Sequence, residues 1–166
     1  MVTIGLLSDT HSCWDDRYAK YFEKCDEIWH AGDIGGLELY EKLESLGKTL
    51  RAVVGNIDGQ DLRKFLKKEE SFRCEEVDVL MTHIGGYPGK YAPGIPNRLN
   101  LLKPKLFVCG HSHILKAQYD PTRQMLCLNP GAAGTYGFHQ VRTLMRFVID
   151  GADIRDLEVV EMKRSN

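Results

Sequence analysis

Seven residues of this chain offer oxygen or imidazole donors of the kind that transition metals take: Asp9, His11, Asp33, Asn56, His83, His111 and His113. Imidazole selects Mn, Fe, Co, Ni or Zn over Mg and Ca, while carboxylate and amide oxygens widen the choice. The mix suits a pair of divalent ions, and the chemistry to expect of such a pair is hydrolysis. The spacing supports a shared site. Asp9-Thr10-His11 and His111-Ser112-His113 each separate two donors by one residue, so that in extended geometry both side chains of a pair face the same way. Gly32-Asp33 and Gly55-Asn56 set a donor directly after a glycine, where backbone and ion can approach closely. Taken singly, each piece is a common turn element, and His83 alone reads as a hydrogen-bonded histidine. The run Gly110-His111-Ser112-His113 carries most, since two close imidazoles in a Gly-bounded loop have few structural uses. All five pieces in this order leave chance a small share.

Every donor follows an apolar segment that reads as a strand, which fixes the exit direction of its loop. Val2 to Leu7, Glu27 to Ala31 and Leu50 to Val54 are strands, alternating with helices over Arg17 to Lys24 and Leu37 to Leu46; Asp61 to Lys67 makes a further short helix. This β-α-β-α-β order favours a parallel sheet with right-handed crossovers. Leu39, Leu43 and Leu46 recur at i, i+4 and i+7 and give the second helix one buried stripe. Val77 to Thr82 and Leu106 to Cys109 are strands separated by a Gly/Pro-rich loop, Gly85 to Pro96, and a helix ending near Leu102. The remainder is mostly β: Leu115 to Tyr119, Met125 to Leu128, Thr143 to Ile149 and Ile154 to Glu161, with turn chemistry at Asp120-Pro121-Thr122-Arg123 and Asp150-Gly151. The sum is an α/β fold, a four-layer α-β-β-α sandwich of two mixed sheets, formed by residues 1–166 as one domain without repeat or linker.

Composition excludes several classes. A chain of 166 residues buries roughly 70% of its unfolded surface and needs no staple. A formal net charge of -1, with Lys and Arg scattered, gives no basic field for a stable nucleic-acid partner. Neither a signal peptide nor a membrane span is expected. Five cysteines without a CxxC pair fit reduced thiols and a cytoplasmic protein. Cys25, Cys109 and Cys127 are expected in the core; Cys13 follows the Asp9/His11 loop and reads as packed rather than reactive. His30 is expected as a packed strand histidine. Asn129-Pro130-Gly131 reads as a turn, and Arg98 is open between phosphate contact and solvent.

The five motifs resemble those of the calcineurin-like metallophosphoesterases, DxH, GDxx, GNxD, H and GHxH, here Asp9-Thr10-His11, Gly32-Asp33-Ile34-Gly35, Gly55-Asn56-Ile57-Asp58, His83 and Gly110-His111-Ser112-His113. The match runs from Val2 to about Gly134. Small size, Ser8-Asp9-Thr10-His11 and Leu128-Asn129-Pro130-Gly131 are most similar to the compact YfcE-type bacterial phosphodiesterase branch, and the resemblance places Asn129 and the Gly131 to Gly134 stretch near the metal site. The resemblance implies that Asp9, His11, Asp33 and His113 hold one metal, and that Asn56, His83 and His111 hold a second, with Asp33 bridging both. It implies Mn2+ first, with Fe, Zn, Ni or Co as alternatives. Asp33, Asn56 and His83 would act catalytically through the metals and the hydroxide held there, on a small phosphodiester, without a membrane and with homo-oligomerisation open. One departure matters. Many relatives carry histidine where this chain has Ile57, and losing a positioned general acid typically costs about 10² to 10⁴ in rate. The resemblance therefore implies a phosphodiesterase selective for activated aryl diesters over alkyl monoesters. Two other readings stand beside it: a protein-binding scaffold similar to the retromer subunit of this fold that retains metals, with surface residues such as Trp14, Tyr87, Tyr91 and Phe138 as its interface, and a metal-dependent nuclease; Trp14 and Tyr91 could equally wall a substrate pocket.

Overall fold

The computed structural model describes residues 1–164. In chain order its elements are β1 (Val2–Leu7), α1 (Arg17–Tyr21), β2 (Glu27–His30), α2 (Leu37–Glu44), β3 (Thr49–Ala52), α3 (Gln60–Arg63), β4 (Glu69–Cys74), β5 (Val77–Thr82), β6 (Gly86–Tyr87), β7 (Lys90–Tyr91), α4 (Ile95–Leu102), β8 (Leu106–Val108), β9 (Lys116–Asp120), β10 (Met125–Asn129), β11 (Val141–Asp150) and β12 (Asp153–Lys163). They form two five-stranded sheets, ordered β12-β11-β1-β2-β3 and β4-β5-β8-β10-β9, and a small β6–β7 hairpin.

Both sheets are mixed, each with three adjacent parallel strands. In the first, β1, β2 and β3 are parallel while β11 runs antiparallel to β1, with Val2 opposite Ile149 and Leu6 opposite Met145. In the second, β5, β8 and β10 are parallel, with β4 and β9 antiparallel at the edges. All seven candidate donors lie just beyond the carboxyl ends of parallel strands, those after β1, β2, β3, β5 and β8. That is the end of an α/β sheet where ligand sites are built.

Burial explains the layering. Ile4, Leu6, Trp29 and Phe147 of the first sheet, with Val53 just past β3, interleave with Val79, Met81, Leu106, Val108 and Leu128 of the second. Trp29 meets Phe72 and Phe147 edge-on, at 5.0 and 5.7 Å between ring centres. On the outer face of the first sheet, Tyr18 of α1 and Phe22 just after it cover Leu7, Ile28 and Leu144. Leu39 of α2 packs with Ile34, Ala52 and Val54, and Leu43 of the same stripe is buried. On the far side, Ile95 and Leu99 of α4 cover Leu80, Phe107, Met125 and Cys127. The α-β-β-α sandwich is the one expected, and Cys25, Cys109 and Cys127 are buried in it.

The details differ in three places. Strand β4 was not anticipated, because Glu69-Glu70-Ser71-Phe72-Arg73-Cys74 contains no apolar run; as an edge strand it needs to bury only Cys74 and part of Phe72. The Gly/Pro-rich loop folds part of itself into the β6–β7 hairpin. Helices α1, α2 and α3 stop earlier than expected, at Tyr21, Glu44 and Arg63, so that Leu46 lies beyond α2 and is only half-buried. No described helix is long and apolar enough to cross a membrane.

Candidate metal centre

Main-chain bonds assemble the loops before any side chain contributes. The loop after β1 is zipped to the loop after β2 by N–H groups of Asp9, His11 and Ser12 donating to the carbonyls of Gly32, Asp33 and Ile34, at 2.9 to 3.0 Å. The Gly110 N–H joins the loop after β8 to the His83 carbonyl at 2.9 Å, and the Gly134 N–H reaches the Asp9 carbonyl at 3.1 Å. The donor pairs are not extended as their spacing suggested. Asp9, His11, Asp33, His111 and His113 all take left-handed backbone, with φ of 55, 45, 55, 72 and 63°. Such a conformation is uncommon for non-glycine residues and costs of order 1–3 kcal/mol each. It turns the loops tightly enough to bring both members of each pair to one centre. Gly32 (φ 99°) is required at its place, since a Cβ there would lie 2.6 Å from the His83 Nδ1.

Two donor clusters result, Asp9 with His11 and His113, and Asp33 with His83 and His111, each with its ligand atoms within 4.8 Å of one another. They abut. His113 Nε2 lies 3.2 Å from Asp9 Oδ1, His11 Nε2 lies 3.8 Å from Asp9 Oδ1 and 3.4 Å from Asp33 Oδ2, and His83 Nε2 lies 3.8 and 3.1 Å from the same two oxygens. Asn56 Oδ1 sits 3.1 Å from His111 Nδ1 and so joins the second cluster. All seven predicted donors therefore meet in one place.

The buried atoms at the centre lack partners. Asp9 Oδ1, His11 Nε2 and His83 Nε2 are buried without a hydrogen bond, a cost of several kcal/mol if nothing occupies the space between them. The His83 Nδ1 donates to the Ala31 carbonyl at 2.8 Å, which leaves a neutral ring its Nε2 lone pair aimed at Asp33. A lone pair facing carboxylate oxygens is repulsive unless a cation lies between, so divalent ions fit this donor set. The electrostatics agree. Burial opposes the Asp9 charge, but His11, His113, His83 and the Ser8 hydroxyl outweigh it and hold that carboxyl well below the usual range. Burial likewise opposes ionisation of Asp33, and the His83 partner and Ile57 N–H prevail. The His83 imidazole moves up, burial notwithstanding, in the field of Asp33 and Asp9. The centre is thus negative and attracts positive charge, whether protons or metal.

Side chains whose roles were not read from sequence brace the donors. Asp9 Oδ2 accepts from Ser8 Oγ at 2.6 Å and the His111 N–H at 3.1 Å, leaving Oδ1 free to face the imidazoles. Asp58 is buried and accepts three backbone N–H bonds, from Ile34 (3.1 Å), Gly35 (2.8 Å) and Gly55 (2.8 Å), tying the Asp33 loop to the Asn56 loop. The aspartate of GNxD is the signal that could have found it. Asn129 does more than turn the chain: its amide donates to the Gly110 carbonyl at 3.0 Å and Ser112 Oγ at 3.1 Å, steadying the His111–His113 loop. Tyr136 lies over the His11 ring, 4.7 Å between centres, and His139 packs edge-on against His113 at 5.2 Å. No sequence pattern marked either.

The remaining candidates fall elsewhere. His30 is a packed strand histidine bridging Thr10 Oγ1 (3.0 Å) and the Gly32 N–H (3.1 Å). Arg98 pairs with Glu69 at 2.6 Å, fastening α4 to the β4 edge. Cys13 belongs to neither donor cluster, its thiol facing the buried Arg142 guanidinium. Trp14 packs on Tyr18, Phe138 is fully exposed, and Tyr87 and Tyr91 line a cavity beside His111. Ile57, 47% exposed, contributes its N–H to Asp33 Oδ1 at 3.1 Å, and its side chain has no proton to offer.

Comparison with known proteins agrees with this geometry. No curated protein matches the chain. Among solved structures, Vps29 of Entamoeba histolytica complexed with zinc aligns at a TM-score of 0.76 and 16% identity, covering 98% of this chain and 99% of that one. An archaeal phosphodiesterase aligns at 0.73 and 20% identity, covering 95% and 99%. A predicted phosphoesterase from Streptococcus pneumoniae aligns at 0.66 and 20% identity, covering 98% and 90%. At these identities the likeness is one of fold. The model of the calcineurin-like phosphoesterase superfamily domain matches residues 2–152, a span that contains every donor-bearing loop. With its donor set and its fold both accounted for, the chain belongs to the calcineurin-like phosphoesterase superfamily, whose members bind divalent metals.

Proposed function

We propose that the chain, acting as one domain, is a metal-dependent phosphodiesterase of small phosphate diesters with two divalent ions, manganese first. Asp9, His11, Asp33 and His113 would hold one ion; Asn56, His83 and His111 would hold the other, with Asp33 shared. The observation that carries this reading is the convergence of three buried, unpartnered donor atoms, Asp9 Oδ1, His11 Nε2 and His83 Nε2, on the boundary between two donor clusters. A bound pair of ions supplies Lewis acidity toward phosphate oxygens and an activated water as nucleophile.

The chain's own residues do the rest. Asp33, with one oxygen fixed by the Ile57 N–H, presents the other to both clusters, as a bridging carboxylate must. Ala31 fixes the His83 ring so that Nε2 points inward. Ile57 cannot protonate a departing oxygen, so leaving groups that depart as stabilised anions lose least at this position. This favours aryl diesters over alkyl monoesters. The absence of a basic stripe argues against a nuclease, and bound metal without turnover of any phosphoester would favour a protein-binding scaffold that retains its metals. The free thiols fit a reducing, cytoplasmic setting.

Metal analysis of the purified protein, paired with turnover of bis(4-nitrophenyl) phosphate and of phosphomonoesters in added Mn2+, tests the proposal. Bound metal with faster diester turnover is expected. Efficient monoester cleavage without diester cleavage would overturn the preference, and a protein that retains no divalent metal would overturn the reading.

A further inference from the structure

A cavity of about 420 Å³ adjoins the donor centre, walled by Ile84, Tyr87, Tyr91, Pro93 and Ile114, with Gly110, His111 and Asn129 forming the boundary shared with the metal centre. Its walls are apolar side chains that a chain folding for stability alone would cover: Ile84, Tyr87 and Ile114 all rank among the exposed large hydrophobic residues. They are also held in place. The β6–β7 hairpin that carries Tyr87 and Tyr91 is closed by the Ala92 N–H to the Gly85 carbonyl at 3.0 Å. Gly85 is pressed so closely on the second sheet that a Cβ would lie 2.6 Å from the Phe107 ring. The Tyr91 hydroxyl donates to Asp120 at 2.7 Å, fixing that ring, and the Lys116 ammonium lies 3.9 Å from the Tyr87 ring centre.

We propose that this cavity is the subsite for an aromatic arm of the phosphate ester, a single flat ring attached to the phosphoryl group held at the donor centre. The inference rests on the phosphoryl site proposed above and names what that site selects. Two features support an aromatic occupant. The walls offer π faces and branched aliphatic groups rather than hydrogen-bonding partners along most of their surface, which suits a flat apolar ring. The boundary is shared with His111, so that a phosphoryl group at the metals places its substituent at the mouth of the cavity without further chain between them. Tyr87 and Ile114 are then specificity-determining residues: both present exposed apolar surface to the cavity rather than to the core.

The test uses two unreactive probes, phenylphosphonate and methylphosphonate, titrated calorimetrically into Mn2+-loaded protein. Both carry the same phosphoryl group and differ only in the arm. Phenylphosphonate is expected to bind roughly tenfold tighter or more, as burial of most of a ring implies. Tyr87→Ala, and independently Ile114→Ala, should shrink that ratio to about threefold or less while the affinity for methylphosphonate stays unchanged; Tyr87→Leu, which keeps an apolar wall, should preserve most of it. Equal binding of the two probes by the wild-type protein, or a ratio untouched by both alanine variants, overturns the aromatic subsite and leaves the phosphoryl site standing. If neither probe binds, the phosphoryl reading fails and the subsite fails with it.

Discussion

Asp58 offers the clearest test of how the site is held together, because it touches no candidate ligand side chain yet ties two ligand loops. Its Oδ2 accepts from the Ile34 and Gly55 N–H groups and its Oδ1 from the Gly35 N–H. Arg63 secures the carbonyls of Asp58 (2.6 Å) and Gly55 (2.8 Å) from the other side. Asp58→Asn can keep the two bonds at the Oδ2 position, but its amide NH2 must then face the Gly35 N–H. Hydrogen bonds to a charged group are worth about 1.5–3 kcal/mol, so losing one should cost about 2 kcal/mol and losing all three in Asp58→Ala, with water entering, about 4. For a chain of 166 residues this corresponds to melting-temperature losses of about 4–8 °C and 8–16 °C. Urea unfolding in the presence of a chelator measures this directly. Metal affinity should fall further, by about 10- to 100-fold in a Mn2+ titration, because supporting partners of ligand loops typically carry that much. Wild-type affinity in Asp58→Ala, or a melting temperature within about 2 °C of wild type, would refute the idea that this carboxylate organises the Asp33 and Asn56 loops.

Three further outcomes are expected. Ile57→His should raise turnover of esters with poor leaving groups while changing aryl diesters little; no change in steady-state assays would mean that another group supplies the proton. Gly32→Ala forces an L-residue to φ near 99° with its Cβ against the His83 ring, so Mn2+ affinity should drop more than about tenfold, and calorimetry showing wild-type affinity would count against the cradle as described. Burial pushes the His30 imidazole down to about 4, in spite of Asp58 and Asp9. The unfolded chain takes this proton near pH 6.5 and the folded chain does not. Stability is therefore unaffected by His30 above that pH and falls as pH drops from about 6.5 to about 4, by up to about 3 kcal/mol. An NMR titration in which the His30 ring of the folded protein takes up its proton near pH 6.5 would contradict this.

The donor set was legible because its chemistry is written in residue types: a glycine, then an oxygen, or two imidazoles one residue apart, each after an apolar strand. The sandwich was legible for the same reason, since alternating strands and helices leave few parallel topologies. What the sequence hid follows from how the remaining parts are stabilised. Strand β4 owes its place to backbone pairing with Val77–Thr82 and to Phe72 and Cys74, not to an apolar run. The left-handed backbone of Asp9 and His111 is imposed by neighbouring loops, whereas local preference points to extended chain. Tyr136 and His139 reach the site from a loop near the chain's far end, through contacts of more than a hundred residues in one case, which no local pattern encodes. Asn129 looked like a turn because its turn-forming bond to the Gly131 N–H is real, and its second duty is visible only in three dimensions.

The ladder from Asp9, His11 and Ser12 to Gly32, Asp33 and Ile34 is made wholly of peptide groups. Its bonds do not themselves use the ligand side chains that the two loops display. A lineage carrying this ladder can therefore lose a histidine or a carboxylate, and with it an ion, without losing the shape of the groove around the ion. Catalysis and architecture are inherited separately here: mutation can silence the first while selection for some other use of the same surface preserves the second.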